Sequence, residues 1–128
     1  WGRGLGQLKE IVIDCDQPSR LARFWCAVID GYAVLPYDDA EITRLARLGL
    51  TPETDTSVMA DGPGPRLCFH LRPGPRPTRN RVHLDIAVAD RAAEIARLTA
   101  LGAARVRDGA GYSVMTDPEG NNFCLVGP

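Results

Sequence analysis

No apolar run in the sequence approaches the roughly 20 residues of a membrane-spanning helix, so no membrane partner is expected. No C-x-x-C pair occurs either. The four cysteines, Cys15, Cys26, Cys68 and Cys124, are too few and too scattered for a disulfide scaffold, and they read as reduced thiols of a cytoplasmic protein. Charge of one sign is not in excess: 15 basic against 16 acidic side chains give a net charge of -1, with no basic block to grip a phosphate backbone. Nucleic acid is therefore not an expected partner. The first residues, Trp1 to Gly6, have neither the charged start nor the apolar centre of a signal peptide, which still leaves a trimmed leader open. What is present is an ordinary globular mixture, 45% hydrophobic and 24% charged over 128 residues. That length predicts one domain, 1–128, because a half of roughly 60 residues is marginal when it folds alone.

Order within the chain says more. Ser57 to Cys68 aligns without a gap on Ser113 to Cys124, with six of twelve residues identical. Upstream, Ile11 to Cys15 followed by Pro18 to Ile29 and Gly31 corresponds to Leu84 to Val88 followed by Asp90 to Leu101 and Gly102. The first copy is longer, and its surplus Asp38 to Gly49 reads as an inserted helix with an acidic start, an apolar period at Ile42, Leu45, Ala46 and Leu48, and a glycine stop.

Each copy resolves into strand, helix and three strands. The opening strands are Leu8 to Cys15 and Val82 to Ala89, short and alternating. The helices carry apolar stripes at Leu21, Phe24, Trp25 and Val28, and at Ala92, Ile95, Leu98 and Leu101. Module one thus spans about 8–72 with its inserted helix at 38–49, a proline-rich linker covers 73–81, and module two spans 82–126. Strand alternation sends Glu10, Cys68, His70, His83, Asp85, Asn122 and Cys124 to the sheet face opposite the helices. Polar groups from four strands on one face make a binding cup, although a sheet with one wetted face shows the same alternation.

Two βαβββ units in a short chain, with Asn80-Arg81-Val82-His83-Leu84-Asp85, Asp117-Pro118-Glu119-Gly120-Asn121 and the pair Phe24-Trp25, resemble the vicinal oxygen chelate superfamily. This is the group of glyoxalase I, bleomycin-resistance proteins and extradiol dioxygenases, and the likeness is nearest to its small glyoxalase-like proteins. The resemblance implies an α+β fold in which two βαβββ modules form one cupped, eight-stranded mixed sheet with helices on the outer face. It also implies a small-molecule ligand, a homodimer, and activity as a metal-dependent lyase, isomerase or dioxygenase. A metal-free protein that sequesters an antibiotic or other small molecule is the alternative.

Position by position, the metal ligands of the superfamily fall on Glu10, Cys68, His83 and Cys124, where His and Glu are commoner. Thiolates, imidazole and a carboxylate form a set that favours zinc among divalent metals. The bland alternative is that Cys68 and Cys124 are small buried hydrophobes. His70, Asp85, Asn122 and Tyr112 are the candidate substrate contacts, the face of Tyr112 being undetermined by the sequence. No residue is assigned a catalytic role beyond Glu10 or His83 as a proton acceptor, if either does not hold metal.

Overall fold

The computed structural model describes residues 8–75 and 82–128. The chain divides into two compact units, Trp1–Pro73 and Gly74–Pro128. The expected linker residues Asn80 and Arg81 lie outside the described residues.

In the first unit, β1 (Glu10–Cys15) is followed by α1 (Pro18–Val28), β2 (Ala33–Val34), α2 (Asp39–Arg47), β3 (Ser57–Asp61) and β4 (Arg66–Leu71). Pro18 opens α1, where an absent N–H costs nothing. The expected stripe of Leu21, Phe24, Trp25 and Val28 is buried, and the Phe24 and Trp25 rings meet edge to face at 5.6 Å. These rings are core. α1 lies against β1, β3 and β4, covering one face of the sheet. The inserted helix α2 starts on Asp38, whose side chain accepts from the Glu41 N–H at 2.8 Å, and Gly49 follows it with φ +74°. Only Leu45 of its apolar period is buried; Ile42 and Leu48 are exposed, because a single turn of this short helix reaches the core.

The second unit repeats the order with β5 (Leu84–Ala87), α3 (Arg91–Ala100), β6 (Ala104–Gly109), β7 (Tyr112–Thr116) and β8 (Asn122–Val126). Asp90 caps α3 by accepting from the Ala93 N–H at 3.1 Å. Of the expected stripe, Leu98 is fully buried, Ile95 is half-buried, and Ala92 and Leu101 are exposed.

The eight strands expected are all present, and hydrogen bonding gathers them as four and four, each sheet within its own unit. Their orders are β1-β4-β3-β2 and β5-β8-β7-β6, the same path twice, with β1∥β4 and β5∥β8 parallel and the remaining pairs antiparallel. This is a mixed α+β arrangement of two βαβββ modules. The symmetry extends to the caps, since Gly31 and Gly102 leave α1 and α3 with φ +79° and +107°. A Cβ on them would meet Pro63 at 3.1 Å and Pro118 at 3.2 Å. Among the described residues no helix is long and apolar enough to cross a membrane.

One expectation is corrected. The gapless match of Ser57-Val58-Met59 to Ser113-Val114-Met115 is out of phase with the pleat. Met59 opposes Cys68, but it is Val114 that opposes Cys124. Val58 and Ala60 are buried in one module, Ser113 and Met115 in the other. The turn of the second module is one residue longer, and a shift of one residue moves every side chain to the other face. That longer turn is built around Asp117, which is buried and accepts from the N–H groups of Glu119 and Asn121 and from Asn121 Nδ2, each at 2.9 Å. The Asp-Pro-Glu-Gly-Asn motif is therefore a self-bonded turn.

Candidate functional site

Each sheet has a face turned away from its helix. In the second unit, β8 alternates strictly, with Phe123 and Leu125 fully buried and Asn122, Cys124 and Val126 on the open side. Asp85 of β5 directly opposes Cys124, and Val114 of β7 opposes it from the other flank. His83 lies two residues before Asp85, just ahead of the strand, and points the same way. Its Nε2 comes within 3.5 Å of Asp85 Oδ1. One ligand atom each from His83, Asp85 and Cys124 lies within 4.8 Å of the others, the one group among the described residues with this geometry. His83 and Asp85 are exposed and Cys124 half-buried.

This trio has the chemistry of a metal centre. Imidazole, carboxylate and thiol are all zinc donors, and three protein ligands leave a fourth position open to a substrate or water. Desolvation, first, and then the charge and hydrogen bond of Asp85 push the Cys124 thiol above its ordinary value, while Arg107 acts in the opposite direction. A cation placed among these atoms reverses that balance, because a coordinated thiol loses its proton.

The structure brings His83 and Cys124 together, as the sequence placed them. It also adds Asp85, expected as a substrate contact, to their group. The signal was available: Asp85 lies two residues from His83 in a strand, hence on the same face. Glu10 and Cys68 belong to the first unit. There Glu10 is half-buried, 3.8 Å from Lys9 Nζ, and Cys68 is buried with its sulfur 3.4 Å from Ser57 Oγ. Val12 opposes Cys68 just as Asp85 opposes Cys124. His70 is exposed on the open face of β4, opposite Asp14 and Ser57. Nearby, Arg66 is committed to Asp61 through two hydrogen bonds of 2.6 and 2.9 Å.

Tyr112 resolves onto the open face of β7, opposite Gly109 and Val126, and Asn122 lies exposed at the start of β8 opposite Thr116. Arg107, which sequence reasoning did not select, donates from Nη1 to the Tyr112 hydroxyl at 3.3 Å.

The family model described as Glyoxalase-like domain matches residues 10–126. Among solved structures, a glyoxalase/bleomycin resistance protein/dioxygenase family enzyme from Burkholderia phytofirmans PsJN is similar, with TM-score 0.64 and 14% identity over 94% of this chain and 97% of that one. The fosfomycin resistance protein FosX from Mesorhizobium loti gives TM-score 0.63 and 15% identity over 98% and 92%. The trypanothione-dependent glyoxalase I of Leishmania major gives 0.60 and 16% over 95% and 86%. These likenesses establish the fold. No curated protein sequence matches the chain significantly.

Proposed function

Since the chain belongs to the glyoxalase-like domain family of the vicinal oxygen chelate superfamily, we propose that it binds a small molecule with two adjacent oxygen atoms on the open face of its second sheet, beside a divalent metal held by His83, Asp85 and Cys124. The observation that carries this reading is the convergence of three donor atoms of different type within 4.8 Å. Zinc is the ion that the donor set suits. When bound, such an ion supplies Lewis-acid polarisation of the substrate oxygens.

The chain's own residues do the rest. Cys124 and Asp85 are fixed by the β5–β8 ladder, so their side chains are presented from a rigid sheet instead of a loop. The Asp85 carboxylate faces His83 Nε2 and accepts from the Cys124 thiol; where it does not hold the metal, it would be the group that takes a proton from a carbon next to a substrate carbonyl. This arrangement suits a lyase or isomerase that moves a proton in place. The four-residue set with Glu10 and Cys68 draws on both units; the proposal stands on the part that the second unit carries.

A metal-free binding module is the second reading, favoured by the exposure of His83 and Asp85, whose mutual contact is long at 3.5 Å. Metal analysis separates the two. Protein purified without added metal and then dialysed against zinc is expected to hold one equivalent, and His83→Ala is expected to lose it. Sub-stoichiometric zinc in the wild type refutes the metal-dependent reading and favours the metal-free binding module.

A further inference from the structure

In a regular antiparallel pair, Arg105 and Arg107 of β6 would point to the same face. They do not. The β6–β7 register shifts between them, so that Arg105 opposes Met115 and Arg107 opposes Val114. Val106 is the additional residue, a β-bulge that turns over everything after it. Without the bulge, Val106 would oppose Val114 and Arg107 would oppose Ser113, which is buried on the helix side. With it, Arg107, Val114, Cys124 and Asp85 form one row across the open face, each opposite the next.

The guanidinium is braced and yet uncommitted. Its Cζ lies 6.0 Å from the Tyr112 ring centroid, and Nη1 donates to the hydroxyl of that ring at 3.3 Å. Tyr112 in turn lies on the backbone of Gly109, where a Cβ would come within 2.2 Å of the ring. Among the described residues no carboxylate lies within ion-pair distance of Arg107. The nearby Asp108 is taken by Arg105 at 3.1 Å and by Ser113 Oγ at 2.6 Å. A guanidinium presents five N–H donors in a planar fork, and its preferred partner is an oxyanion.

The geometry points to an oxyanion subsite at Arg107, held in place by Tyr112 and the Val106 bulge. The ligand is then a small molecule that carries a carboxylate or similar oxyanion group besides its two adjacent oxygens. This deepens the proposed function and rests on it for the oxygen pair alone. Two strand spacings of about 4.8 Å separate β6 from β8, and the long arginine side chain covers much of that gap. The anionic group therefore lies only a few bonds from the oxygen pair.

The test compares acetohydroxamate, which offers two adjacent oxygens, with succinic acid monohydroxamate, which adds a carboxylate two carbons away. Binding is measured calorimetrically at low salt, with and without zinc, on the wild type, Arg107→Gln and Arg107→Lys. Zinc uptake is followed in parallel, and circular dichroism checks the fold. The wild type is expected to favour the carboxylate-bearing compound about tenfold, as a charge-assisted bond implies. Arg107→Gln should lose that preference, Arg107→Lys should keep part of it, and zinc uptake should be the same in all three. An equal preference in Arg107→Gln, or none in the wild type in either form, overturns the subsite. Absence of zinc uptake by the wild type refutes the metal site alone, because the carboxylate preference is read on the metal-free protein as well.

Discussion

The first module supplies a template for removing the proposed centre without disturbing the sheet. At the position where β5 carries Asp85 opposite Cys124, β1 carries Val12 opposite Cys68. Val12 is 55% exposed there, so an open-face valine is compatible with this ladder. Asp85→Val copies the first module into the second. The His83–Asp85 contact that it breaks is between side chains 58% and 63% exposed, a class of ion pair worth at most about 1 kcal/mol. Valine returns a similar amount, since strand preferences span about 1 kcal/mol in favour of β-branched residues.

The net stability change is thus expected to stay within about 1 kcal/mol. At about 2.1 cal/mol/K per residue of unfolding entropy, that corresponds to a Tm shift of about 4 °C or less for a chain of this length. Metal affinity should respond very differently. Loss even of an outer-shell partner costs about 10- to 100-fold, and loss of one of three direct ligands should cost at least the upper figure. Cobalt(II) titration reads the site through its thiolate absorption, and calorimetry reads Tm on the same samples. A variant that retains wild-type cobalt affinity refutes the assignment of Asp85 as a ligand. One that loses more than about 10 °C shows that Asp85 is structural, and the loss of metal would then carry no weight.

Two further outcomes test the frame around the site. Asp117→Ala should leave the Glu119 and Asn121 N–H groups without their acceptor and cost about 1–3 kcal/mol in urea unfolding; an unchanged midpoint would show that the turn does not depend on this carboxylate. The hydrogen bonds of Arg23 and Arg66 hold the Glu53 and Asp61 carboxyls below their usual range. Groups with depressed folded values stabilise fully above the ordinary carboxylate pKa of about 4 and lose that contribution as pH falls through the folded values. Tm should accordingly drop from pH 5 to pH 3, and less steeply in an Arg23→Gln/Arg66→Gln protein. Parallel curves for the two proteins would count against these pairs.

Strand and helix order and the helix inserted before β3 were legible because each rests on a local signal: alternation, a 3.6-residue stripe, or an acidic start with a glycine stop. Even so, the stripes overstated burial. Ile42, Leu48, Ala92 and Leu101 satisfy the period, but helices as short as α2 and α3 bring little more than one residue each, Leu45 and Leu98, fully into the core. What escaped was register. Three identical residues, Ser-Val-Met, argued for equivalent strands, yet one residue more in the Asp117 turn places them on opposite faces. The bulge at Val106 escaped for the same reason. Neither glycine nor proline marks it, so Arg107 reads from sequence as a residue of the wrong face.

The two modules follow the same path and differ in where their polar groups are spent. On the open face of the first, Arg66 is closed onto Asp61, Cys68 is buried against Ser57, and valine stands where the second module has aspartate. Its helix also buries four large apolar side chains, Leu21, Phe24, Trp25 and Val28. In the second module α3 buries Leu98 alone; on the open face the His83–Asp85 contact is long and exposed, and Arg107 makes a single hydrogen bond, to Tyr112. Internally satisfied polar groups stabilise a fold but have nothing left for a ligand. Incompletely satisfied ones cost stability and are retained where a ligand completes them. By that argument the proposed binding chemistry would lie on the second sheet, where Asp85 stands in place of valine and the Val106 bulge turns Arg107 to the open face.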